Sequence, residues 1–111
     1  MQALTRYPLL ILLLGAAASA SAQMPALFAN ADLKLGDRLI AENKCSECHA
    51  HKWADDGNAI YRPKGRINTP ALLQSMVERC STDLSLNLFP EEITAIAAAL
   101  NRDHYKFGAA P

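Results

Sequence analysis

The sequence predicts an all-α chain of three principal helices joined by long loops. Three segments repeat apolar side chains at helical spacing: Leu33, Leu35, Leu39 and Ile40; Leu72, Leu73, Met76, Val77 and Cys80; and Ile93, Ile96, Ala97 and Leu100. Two of the three open on strong start signals, Thr69-Pro70 and Pro90-Glu91-Glu92. We find no convincing strand and no internal repeat.

Each element has a local rationale. Either Asn30 or Asp32 can cap a first helix running to about Asn43. Gly36 lies inside it, where glycine costs ~1 kcal/mol relative to alanine, so the position calls for close approach of another helix. Residues 50–68 hold Asp55, Asp56, Gly57, Asn58, Pro63 and Gly65 without a sustained period, and read as an irregular loop. Thr69 then caps free amides and Pro70 has none to satisfy, which starts the second helix. Met76 and Cys80, four residues apart, are expected on its buried face. Ser81 to Phe89 reads as a second loop. The last helix begins with acidic groups at its positive end, and Arg102, His104 and Lys106 fall near its negative end.

Half of the 111 residues are apolar, but much of that content sits at the N-terminus. Arg6 precedes an apolar run from Pro8 to Ala18 and then Ala20-Ser21-Ala22, the order of a secretory signal. The run is well short of the ~20 residues a spanning helix needs. The expectation is a signal peptide over 1–22, cleaved after Ala22 with Ala20 as the fallback, and a mature domain over 23–111 that is exported to a bacterial periplasm and not held in the membrane. Without Arg6 the chain has ten basic and eleven acidic side chains, a formal charge of about −1 that gives no reason to expect nucleic acid as a partner. Arg62, Lys64 and Arg66 gather between Tyr61 and Ile67, as a solvated loop, a steering patch or a counter-charge for an anionic group.

Three cysteines are an odd number for an exported protein. Two belong to Cys45-Ser46-Glu47-Cys48-His49, a CxxCH run of the kind that attaches one haem c covalently. Thiols at i and i+3 lie on one helical turn and can bond two vinyl groups of a porphyrin, and His49 is delivered to the iron from the same side. Other uses are open to the same residues. A thioredoxin-type CxxC wants a βαβ setting that is missing from the pattern. A zinc site needs Cys45, Cys48, Cys80 and His49 or His51, and a disulfide between Cys45 and Cys48 leaves His49 without a role. Haem is preferred, with zinc as runner-up.

With these residues in view, the chain resembles the class I cytochrome c superfamily over nearly all of its mature part. A leading helix with Gly36, the CxxCH run after it, and a last helix meant to cross the first are similar to that fold. The resemblance implies a small cytochrome c-like domain of helices and long loops around one covalent haem. Members usually ligate the far side of the iron with a methionine from the loop before the last helix, whereas here no methionine follows Met76. Between about Leu72 and Leu100 the chain also resembles the sphaeroides haem protein and cytochrome c double-prime group. There, the residue before a helix-terminal cysteine is a displaceable ligand and the cysteine is bridged to another. Arg79 and Leu88 hold the corresponding positions, so neither feature transfers.

Four residues are candidates for the distal side. His51 is too near His49 to reach the opposite face, and His104 reads as a surface histidine favoured by the helix dipole. Met76 is a soft ligand that also suits a core, and Cys80 ends the same face beside a loop. Cys80 is preferred, with Met76 next. Trp53 and Tyr61 are expected to pack on or hydrogen-bond to the haem edge. The function expected is electron transfer between periplasmic redox proteins, as a carrier or as the small haem subunit of an oxidoreductase. The alternative is a gas-binding or sensing haem protein with a weak or absent distal ligand. No acid, base or nucleophile constellation suggests an enzyme in its own right.

Overall fold

Asp32, of the two candidate caps, starts the first helix. Its backbone is extended and its Oδ1 accepts from the Leu35 amide at 3.0 Å, satisfying one of the amides a helix start leaves open. In the computed structural model, which describes residues 24–45, 59–62 and 64–108 together with Gly15, the helix α1 spans Leu33–Glu42. Asn43 closes it by donating its side-chain amide to the Leu39 carbonyl at 2.8 Å. A short 3-10 turn, Ala26–Phe28, precedes it and buries Phe28.

The second helix, α2, spans Pro70–Asp83, with Thr69 Oγ1 accepting from the Leu72 amide at 3.2 Å. It runs three residues further than the sequence suggests. Ser81 and Thr82, poor helix formers, stay helical because the end is fixed by backbone bonds: Ser85 N–H donates to Thr82 O and Leu86 N–H to Ser81 O, both at 3.0 Å, with Ser85 at φ 55°. The connecting segment therefore begins at Leu84.

The third helix, α3, spans Pro90–Leu100, and Glu92 Oε2 accepts from the Phe89 amide at 2.8 Å. Its helical path then widens into a π turn over Asn101–Tyr105, closed by Lys106 N–H donating to Asn101 O at 2.8 Å. Nothing in the apolar periodicity anticipates this turn. It buries Asn101, whose side chain donates to Phe107 O at 3.1 Å and accepts from Phe107 N–H at 2.8 Å, so the polar group is matched by backbone. All regular elements among the described residues are helical.

The helices meet around α3, whose Ala95, Ala97, Ala98 and Ala99 are wholly buried. Gly36 of α1 fits against this alanine face. A Cβ there would lie 2.7 Å from the Ala95 carbonyl carbon and 3.1 Å from the Ala99 Cβ, which confirms the close helix approach expected from the glycine. Leu73 and Val77 of α2 pack into the same core with Leu39, Ile93 and Ile96.

Arg102 adds a polar tie. Its guanidinium grips Asp37 of α1 through two bonds of 2.6 and 3.1 Å and also binds Asp103 at 2.7 and 2.8 Å. A favourable end-of-helix charge is all the sequence suggested for this residue. Hydrogen bonds from Arg102 hold both carboxyls below their ordinary value of 3.8.

Two outcomes are expected. Gly36→Ala should gain ~1 kcal/mol in helix propensity and lose more through overpacking, typically ~1–3 kcal/mol, so denaturant titration should show a net loss of stability. Arg102→Gln should lower stability at about pH 7, where depressed carboxyls contribute fully. That difference should shrink as the pH falls below the ordinary carboxyl value and through the lowered ones.

Candidate functional site

Beside the face of α3 that meets α1, a cavity of about 800 Å³ lies between α2, α3 and the segment that precedes α2. Its wall is assembled from five parts of the chain. The end of α1 contributes Ile40, Asn43 and Cys45; the segment before α2 contributes Ile60, Tyr61, Arg62, Gly65, Arg66 and Ile67. Leu73, Met76, Val77, Cys80 and Ser81 come from one side of α2, and Ile96, Leu100 and Tyr105 from α3 and the π turn. Asp83 and three leucines, Leu84, Leu86 and Leu88, complete it. The segment is not an extended strand: Leu84 is in the right-handed helical region, and Ser85 and Asn87 stand in the left-handed region at φ 55° and 53°, so local turns rather than a pleat bring the three leucines to the cavity.

Cys45, Met76 and Cys80 are thus brought to one cavity. Cys48, His49, His51 and Trp53 lie outside the described residues. The expectation that Met76 and Cys80 share a buried face needs correction. Met76 is 39% exposed and Cys80 is exposed, because the space beside their face is the cavity and not a packed neighbour. Apolar surroundings push the Cys80 thiol up first, and the Asp83 charge adds to this, while Arg79 opposes it. Arg79 itself points away from the wall and pairs with Asp83 at 3.9 Å, both well exposed.

Tyr61 is the hub of the aromatic side. Burial raises its hydroxyl well above the usual phenol range, and Cys45, Tyr105 and Cys80 push it the same way, so the side chain stays neutral on the wall it shares with both thiols. Its ring stacks on His104 at 4.4 Å and meets Tyr105 edge-on at 6.0 Å. His104 is therefore half-buried against Tyr61 and is not the free surface histidine the helix dipole suggested. The π turn supplies the reason: its extra residue re-aims Tyr105 and His104 toward the segment bearing Tyr61.

No protein-family model, curated protein or solved structure matches the chain.

Among the described residues no three His, Cys, Asp or Glu side chains converge as a metal site, and no helix is long and apolar enough to cross a membrane. What the cavity offers is a mainly aliphatic and aromatic enclosure within the ~300–1,000 Å³ range of small-molecule and cofactor pockets. The first thiol of the CxxCH run is on its wall. Volume and lining together suit a largely apolar small molecule.

Proposed function

We propose that the chain is an exported monohaem c-type cytochrome that passes single electrons between redox proteins, alone or as the small haem subunit of an oxidoreductase. The observation that carries this reading is Cys45 on the wall of a large apolar cavity, at the head of Cys45-Ser46-Glu47-Cys48-His49. Bound haem supplies a one-electron ferric–ferrous couple. Cys45 and Cys48 would hold it by thioether bonds, and His49 would ligate the iron. Leu73, Val77, Ile96 and Leu100 would give the bound group an apolar surround, which limits solvent rearrangement when charge changes. The secretory order of residues 1–22 supports a periplasmic setting, where covalent attachment prevents loss of the cofactor.

For the distal side, Cys80 is our assignment and Met76 the next choice. Both are soft sulfur donors on the same wall. A second reading, a gas-binding haem protein, draws on one observation: the segment before α3 meets the cavity with Leu84, Leu86 and Leu88 and offers no ligand.

Intact mass of the exported protein should correspond to residues 23–111 plus one haem; a mature chain without the haem mass rejects the proposal. The reduced absorption spectrum should be unchanged by carbon monoxide for a carrier, whereas rapid complete binding selects the gas-binding reading. Electron paramagnetic resonance of the oxidised protein should give a low-spin thiolate signal that is lost in Cys80→Ser. A signal indifferent to that substitution removes Cys80 as ligand.

A further inference from the structure

A second, smaller hollow of about 240 Å³ lies where α2 ends and α3 begins. Glu78, Ser81 and Thr82 of α2 form its polar wall with Ser85 and Asn87, the two left-handed residues that turn the chain around the helix end. Leu88 and Ile93 give it an apolar side. All five polar side chains can accept hydrogen bonds, and none of them has a partner among the described residues. Ser81 is the most telling of the five. It is only 5% exposed and its carbonyl accepts from the Leu86 amide at 3.0 Å, yet its hydroxyl is bonded to nothing among the described residues. Three residues after Glu78, it shares with that carboxylate the side of α2 that borders the hollow. A buried hydroxyl in this state is costly, and a ligand that bonds to it recovers the loss. Gln74 Oε1, one turn before Glu78, is a further buried acceptor without a donor. Donors are what this side of α2 lacks.

Charge points the same way. Glu78 makes no ion pair among the described residues, since its neighbour Arg79 turns to Asp83, and no lysine or arginine borders the hollow. The end of α2 adds the partial negative charge of its carbonyls. A calcium ion is a poor match, because it takes ~6–8 oxygen ligands and here one carboxylate faces a space far larger than an ion. We propose that this hollow receives an arginine side chain of a partner protein, at a site separate from the haem reading above. A guanidinium group has five N–H donors in one plane and can serve Glu78, Ser81 and Asn87 together, which a compact ammonium cannot. Its methylene stem would lie along Leu88 and Ile93. Phe89, next to Leu88 in the chain, is 65% exposed and offers the partner an apolar contact beside the arginine. Ser81 and Leu88 also border the large cavity, so a partner anchored here would stand beside it.

The test titrates the mature exported protein with N-acetyl-arginine amide, and with N-acetyl-lysine amide for comparison, while amide NMR shifts and calorimetry are followed. The arginine probe should give saturable shifts at Ser81, Ser85 and Asn87 in the millimolar range, and the lysine probe should bind more weakly. Glu78→Gln should weaken arginine binding about tenfold and Ser81→Ala about threefold. Thermal unfolding of Ser81→Ala should show stability unchanged or raised, because the hydroxyl has no partner to lose. A purely structural hydroxyl predicts the reverse, with stability lowered and binding intact, and that result overturns the proposal. Glu91→Gln, an exposed acid outside the hollow, should match wild type; a loss equal to that of Glu78→Gln would mark a general field and overturns the site. Capped Leu-Arg or Arg-Leu dipeptides should bind more tightly than the single arginine, and the gain should be lost in Phe89→Ser, which keeps a capping residue at the start of α3. Dipeptides no tighter than capped arginine overturn the protein partner. Absence of saturable shifts, equal binding of the lysine probe, or calcium chloride that reproduces the shifts and displaces the arginine probe each overturn the arginine site.

Discussion

Gly36 and the alanine face of α3 bring two helix backbones closer than any side chain at position 36 would permit. The cavity depends on that contact. With α1 pressed against Ala95 and Ala99, the chain leaving its C-terminal end carries Cys45 to one wall, while the adjoining side of α3 presents Ile96 and Leu100 to the same space. The Arg102 grip on Asp37 fixes the same crossing from its polar edge, and the π turn that places Arg102 also places Tyr105. One helix crossing thereby governs both the core and the geometry of the candidate site.

The division of the domain into a packed half and an open half has an energetic meaning. Phe28, Leu73, Ile93, Ile96 and the alanines make a dense but small core, and a domain of this size is near the limit of what apolar burial can stabilise alone. Leu84 and Met76 leave apolar surface beside the cavity that a bound macrocycle would cover. In the proposed haem protein, then, the cofactor completes the hydrophobic core as well as carrying the electron.

Polar groups around the cavity are distributed unevenly. Tyr61 and Tyr105 are kept neutral by burial, while the charged groups stand at the exposed margin. Low-dielectric walls strengthen any charge placed beside them, so a few cations at such a margin can influence a redox centre more than the same cations in bulk water.

Much of the architecture is written locally. Thr69-Pro70 starts a helix because its amides are capped or missing, and Gly36 signals a close crossing because no other role offsets its helix cost. The three helices, the CxxCH run and the soft sulfur pair on α2 follow from such short-range rules. Other features depend on neighbours distant in the chain. Asn101 is buried because Phe107 returns to bind it, His104 is half-buried because Tyr61 stacks on it, and Arg102 serves α1 because Asp37 is within reach. The exposure of Met76 and Cys80 was likewise decided by tertiary structure. Periodicity identifies which side chains share a face, but only the packing of the other helices determines whether that face meets a core or a cavity.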